Sequence, residues 1–160
     1  MNSKTTYLVK LVLCVLLCQA AGVIGSFFTT PSIPTWYAGL NKPFFSPPSY
    51  VFAPVWITLY FMMGLSLSFV WLRVDKDKNA KKAIAIFLPQ LILNIIWSIA
   101  FFGLKSPAAG FATIAILWIS IAWTIRAFSK VSVTSAVLLM PYIIWVTFAA
   151  MLNLAIWLLN

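Results

Sequence analysis

The chain has 160 residues, 63% of them hydrophobic and 8% charged, with 11 Lys and Arg against 2 acidic residues and no His. A mean hydropathy of +1.02 belongs to a surface made for lipid, which excludes an ordinary soluble protein and makes the chain an all-α integral membrane protein in a single domain, 1–160. The net charge of +9 does not mark a nucleic-acid binder, because the cations stand at the ends of apolar runs, where anionic headgroups of the lipid bilayer are their partners.

Crossing a hydrocarbon core of roughly 30 Å takes about 20 helical residues, and five runs are that long, which predicts a five-transmembrane-helix bundle. The first, 7–28, follows Lys4 and Lys10 and has the flanks of a secretory leader, with Cys18-Gln19-Ala20 as a weak cleavage site. It continues without a polar break to Phe28, and Leu17 before Cys18 spoils a lipoprotein-type site, so it reads as a span. Residues 29–49 form a proline-rich loop. In "KPFFSPP", Pro43, Pro47 and Pro48 fix φ and restrict the residues before them, so the segment is expected to be a stiff lid rather than a helix. The second span, 50–72, carries Pro54 in its first turn, where a missing N–H costs little. After the basic loop "RVDKDKNAKK" come spans at 81–102, 108–128 and 134–158. Pro89 and Pro141 lie inside the third and fifth and are expected to bend them. All five runs are continuously apolar, unlike the alternating strands of a membrane barrel.

Nine of the 11 basic residues share one side: Lys4, Lys10, Arg73, Lys76, Lys78, Lys81, Lys82, Arg126 and Lys130. Only Lys42 and Lys105 lie on the other. The charge bias predicts a cytoplasmic N-terminus with the proline-rich loop outside. Without an Arg-rich transit peptide, a bacterial cytoplasmic membrane is preferred over an organelle. Because the only carboxylates, Asp75 and Asp77, sit in the basic loop, no span carries an acid for a proton relay. Cys14 and Cys18 are one helical turn apart without His or acidic partners, so they read as small buried residues and no metal site is expected. Hydrolytic triads and phosphate loops are absent.

What remains is aromatic and amide chemistry. Ala53, Trp56, Tyr60 and Gly64 recur at helical spacing on the second span, as do Gln90, Asn94, Trp97 and Phe101 on the third and Pro141, Trp145, Ala149 and Asn153 on the fifth. Amides are costly against lipid, so these stripes are expected to face the bundle interior. Depth places Trp56 and Trp97 in the outer half and Trp145 near the middle, under the loop that carries Trp36 and Tyr37. These four tryptophans are expected to line one pocket, while Trp71, Trp118, Trp123 and Trp157 supply the interfacial belt or lipid-facing surface.

The string "WYAGLNKPFFSPPSYVFAPVWITLYFMMG" resembles the signature of the TspO/MBR family, the tryptophan-rich sensory proteins that include the mitochondrial translocator protein or peripheral-type benzodiazepine receptor. "QLILNIIWSIAFFG" and "PYIIWVTFAAMLN" resemble the family's third- and fifth-span motifs, so the resemblance covers essentially the whole chain. It implies a five-helix homodimer whose pocket, closed by the first loop, binds porphyrins such as protoporphyrin IX or a haem-type tetrapyrrole, and isoquinoline- or benzodiazepine-type drugs, with no obligatory cofactor. Carried onto matching positions, the implied ligand contacts are Trp36, Tyr37, Trp56, Tyr60, Asn94, Trp97, Trp145, Phe148 and Ala149. Aromatic walls, with an amide or Tyr hydroxyl at the edge, suit a flat tetrapyrrole, and Lys42 is either a partner for a propionate at the mouth or a charge that solvates the loop.

Two departures matter. The Tyr-then-basic cholesterol pattern of animal members is missing from "MLNLAIWLLN", and Ile95 and Phe45 stand where many relatives have Trp. A sensor regulating tetrapyrrole metabolism or a stress response needs only the pocket. Light- and oxygen-dependent porphyrin breakdown would make Trp56 and Trp145 the catalytic candidates, through the ligand's own photochemistry. Passive passage of apolar ligands is the third reading; the odd number of spans counts against a coupled transporter. Small-residue spacings, Ala21/Gly25 and Gly22/Ser26 on the first span and Ala108, Ala112 and Ala115 on the fourth, fit either dimerisation or internal packing.

Overall fold

The structure is a computed structural model that describes residues 3–160, with side chains from Thr5 onward. The side chain of Lys4, counted in the charge bias, lies outside the described residues. Every regular element among them is helical: α1 (Ser3–Ser32), α2 (Phe52–Trp71), α3 (Lys78–Ser98), α4 (Pro107–Ser129), α5 (Val133–Leu138) and α6 (Met140–Leu159). A π-helical turn, Ile99–Gly103, prolongs α3. Five spans are long and apolar enough to cross a membrane, with α5 and α6 sharing the last. Outward-facing Leu8, Leu16, Phe27, Ile116, Ile119 and Ile144 give the bundle its apolar exterior. Its interior is filled by Met63, Phe87, Leu117, Ile121, Phe128 and Val146, with Phe87 and Phe128 stacked at 5.6 Å between α3 and α4.

Local chemistry starts the helices where the chain turns. The Asp77 carboxylate accepts from Asn79 N–H at 2.8 Å and opens α3, and Ser106, followed by Pro107, accepts from Ala109 N–H at 3.2 Å and opens α4. Ser132 does the same for α5 through Ser135 N–H at 3.3 Å. Lys105 takes the left-handed conformation, φ 52°, that reverses the chain between α3 and α4.

Where α1 and α2 cross, their backbones nearly touch. A Cβ on Gly64 would stand 2.6 Å from Val15 Cα and 2.9 Å from Val15 N, so glycine sets the interhelical distance. Cys14 and Cys18 are buried free thiols in the same layer.

Two expectations need correction, the lid boundary and the stripe of the fifth span. Residues 29–32, assigned to the lid, are helical, because α1 continues to Ser32 with the Thr29 hydroxyl donating to Gly25 O at 3.2 Å. Pro89 lies on an exposed face of α3, whose α-helical stretch runs unbroken past it. The fifth span is interrupted beside Pro141, as expected: it breaks at Leu139 and restarts as α6, with Pro141 exposed in the first turn. The buried stripe of α6 is Tyr142, Val146, Ala149 and Asn153. Steps of four residues each overshoot a turn by about 40°, so Pro141 drifts away from the face on which Trp145, Ala149 and Asn153 line an interior cavity.

Candidate ligand-binding cavity

Between α1, α2, α3 and α6, beneath the proline-rich loop, lies a cavity of about 320 Å³. Tyr37 of the loop, Trp56 and Tyr60 of α2, Asn94 and Trp97 of α3, and Trp145 and Ala149 of α6 all line it. Trp36 and Phe148 stand behind this wall. Trp36 packs edge-on against Phe101 at 5.3 Å, and Phe148 lies 5.4 Å from Trp145 and 6.3 Å from Phe45 of the loop.

The aromatic wall is continuous. Trp56 lies 5.6 Å from Tyr60 and 6.2 Å from Trp97, which stacks on Phe101 at 5.6 Å. Hydrogen bonds hold these rings from behind. Trp97 Nε1 donates to Asn153 Oδ1 at 3.2 Å, and Asn153 Nδ2 donates to Pro107 O at 2.7 Å. Gly110 makes room for that amide, since a Cβ there would stand 2.8 Å from Asn153 Oδ1.

Deeper in the bundle, Tyr142 Oη donates to Gln90 Oε1 at 2.7 Å and accepts from Asn94 Nδ2 at 2.6 Å, a triad buried between α3 and α6. Its members leave Asn94 Oδ1 without a partner, and Trp145 Nε1 also has none. Buried polar groups are nearly always paired; these two atoms and Tyr37 Oη are unpaired on cavity-lining residues and are themselves covered, so a ligand would bond them after a small side-chain rotation.

The first span, which the residue patterns left without a role at the site, supplies one wall through Gln19, Gly22, Gly25, Ser26 and Thr29. Gly22 faces Tyr60, and Gly25 faces Ser98. Val23 and Ile57 line the cavity and are also 56% and 60% exposed, so it opens sideways between α1 and α2. Gln19 Nε2 donates to Ile57 O at 3.0 Å across that opening.

The lid is pinned at several points. Lys42 Nζ donates to Ala38 O and Leu40 O, both at 3.2 Å, and sits 4.9 Å above the Tyr37 ring, so its charge braces the loop. Burial raises the Tyr37 phenol above its ordinary pKa and keeps it neutral. Ser32 Oγ donates to Phe102 O at 3.1 Å where α1 meets the loop. Asn41 N–H donates to Asn160 Oδ1 at 3.0 Å, and Asn160 Nδ2 returns a bond to Asn41 O at 3.0 Å. Asn160→Ala removes both, and is expected to speed amide hydrogen exchange in the loop about tenfold, since each exposed bond contributes about 1 kcal/mol or less. Unchanged exchange at 41–46 would mean that the other lid contacts hold it without the Asn160 bonds.

The fold and site define a polytopic membrane protein built around one aromatic cavity under a proline-braced loop. The chain belongs to the TspO/MBR family, whose model matches residues 14–158. It is 46% identical over 153 residues to the tryptophan-rich protein TspO of Archaeoglobus fulgidus, covering 96% of this chain and 98% of that one. It is 38% identical over 118 residues to the tryptophan-rich sensory protein of Cereibacter sphaeroides, covering 74% and 72%. With the human translocator protein it shares 37% identity over 137 residues, covering 84% and 80%.

Proposed function

We propose that the protein is a membrane receptor or sensor that takes porphyrins such as protoporphyrin IX, and isoquinoline- or benzodiazepine-type ligands, into the aromatic cavity, and so regulates tetrapyrrole metabolism or a stress response. The observation that carries this reading is the meeting of Trp56, Trp97 and Trp145 on one cavity whose wall also holds the unpaired Asn94 Oδ1 and Trp145 Nε1. Indole faces provide area and stacking for a flat ligand, and the two polar atoms discriminate its edge. At about 320 Å³ the cavity is at the small end of ligand pockets, about 300–1,000 Å³. A bicyclic amide fills it, whereas a tetrapyrrole extends through the side opening at Val23 and Ile57. The sensory name of the Cereibacter sphaeroides relative supports the same reading.

The proposal includes a bacterial cytoplasmic membrane with the N-terminus inside, on the charge bias, and a homodimer. Ala112 and Ala115 are exposed on α4 and free for such a contact, whereas Gly22 and Gly25 are used within the chain.

The test is a titration of detergent-purified protein with protoporphyrin IX in the dark, following tryptophan quenching, with Trp145→Phe beside the parent. Saturable quenching is expected, and loss of the indole N–H should weaken binding about tenfold. Quenching that never saturates and is identical in both proteins would remove the tetrapyrrole assignment. A second reading, light-driven porphyrin breakdown, is favoured by the placement of Trp56 and Trp145 on the same cavity. It requires porphyrin absorbance to fall under illumination in oxygen, and to be spared in the dark.

A further inference from the structure

At the basic end of the bundle a second cavity, about 130 Å³, lies between the start of α3 and the end of α4. Lys82 and Asn79 border it from α3, and Arg126, Lys130 and Trp123 from α4, with Ile86 on its apolar side. Three cationic side chains, all exposed, therefore border a recess far smaller than the aromatic cavity. None of them has a hydrogen-bond or ion-pair partner among the described residues. The nearest acid in sequence, Asp77, spends its carboxylate on the cap of α3.

Cationic side chains gather at this end of the bundle. Lys78, Lys81 and Lys82 crowd the first turns of α3, whose first turn has no acidic residue. Cations there oppose the positive end of the helix dipole. Arg126 and Lys130 add like charge from the neighbouring helix. A general preference for basic residues on one membrane side explains their presence in this loop, but not why three converge on one cavity. An anion shared among them resolves the repulsion. Arg126 supplies a planar fork suited to phosphate oxygens, Lys82 and Lys130 supply point charges, and the Asn79 amide and the Trp123 indole N–H are further donors.

The surroundings identify the kind of anion. Trp123 is 64% exposed, and Ile119 and Ile116, exposed at 61% and 57%, continue the same face of α4 away from the cavity. An apolar track thus descends into the bilayer from a cationic, phosphate-sized recess at its edge.

We propose that this recess is a phosphate-binding site that holds the headgroup of an anionic phospholipid, with the acyl chains lying along Trp123 and Ile119. The same donors would accept the phosphate of a soluble organic anion. The site lies at the opposite end of the spans from the lid and stands independently of what the aromatic cavity binds.

The test uses the full chain in neutral detergent, counting bound lipid by native mass spectrometry after addition of phosphatidylglycerol or phosphatidylcholine. Two charge-matched variants decide it: Lys82→Gln/Arg126→Gln/Lys130→Gln at the recess, and Arg73→Gln/Lys76→Gln/Lys78→Gln outside it. The parent is expected to prefer a single phosphatidylglycerol by about tenfold or more, the recess variant to lose that preference, and the outside variant to change it less than about twofold. Arg126→Gln alone, expected to weaken binding about threefold or more, keeps the test decisive if the triple variant folds poorly. Equal losses in both triple variants, or no preference in the parent, would overturn the proposal in favour of a diffuse basic surface. Millimolar inorganic phosphate separates the sources. Displacement of phosphatidylglycerol assigns the recess to soluble phosphates, and retention assigns it to lipid.

Discussion

Gly64→Leu is expected to destabilise the bundle by about 3 kcal/mol or more, at the upper end of overpacking costs. The added Cβ would lie 2.6 Å from the backbone Cα of Val15, and a backbone atom cannot swing aside as a side chain can. Relief requires α1 and α2 to separate, which would strip contacts from Cys14, Cys18 and Met63, all buried in that layer. At about 2–4 °C per kcal/mol for a chain of this size, the thermal midpoint in detergent should fall by about 10 °C. Gly39→Leu is the control, since nothing lies within 4 Å of its Cβ position. If both variants melt with the parent, the close helix crossing does not hold the bundle together.

Trp56→Ala is expected to weaken protoporphyrin IX binding about 100-fold. Trp56 faces the cavity and contacts Tyr60, Trp97 and Tyr142, with ring centroids between 5.6 and 6.5 Å. Removing it deletes an apolar face worth about 1.5–3 kcal/mol on burial and loosens the neighbouring rings that shape the wall. Together these amount to about 3 kcal/mol, or roughly two decades in the dissociation constant. Trp157→Ala removes the same chemistry from outside the cavity, where Trp157 packs on Phe111 at 5.9 Å, and should leave affinity within about threefold. A Trp56→Ala protein that binds as tightly as the parent would show that the ligand lies elsewhere.

The spans were legible because an unbroken apolar run of that length has few other uses. Their ends were less so. The α1 helix passes its apolar limit at Phe28, its backbone ladder running on to the bond from Ile33 N–H to Thr29 O, which hydropathy does not register. Mixed steps of three and four residues placed Trp56, Tyr60, Asn94 and Trp97 on one interior, where the structure has them, whereas uniform steps of four misplaced Pro141. The part played by α1 was hidden for a different reason. Gly22 and Gly25 shape the site by having no side chain, and spacing alone does not tell a cavity wall from a dimer seam. Lys42 shows the same limit for charge: its partners are carbonyls of its own loop, and those become visible only once the loop has a shape.

The turn at Ile99–Gly103 also bears on how this cavity came to be enclosed. Its closing bond runs from Leu104 N–H to Ile99 O at 2.7 Å, one residue wider than an α-turn, so the end of α3 is underwound. A wider turn separates consecutive side chains by a smaller rotation than the roughly 100° of an α-helix. That rotation lets the consecutive Phe101 and Phe102 both line the cavity while packing against Trp36 of the lid. The same residues wound as a regular α-turn would keep the span and its hydropathy, yet turn one of these rings away and meet the lid with a different surface.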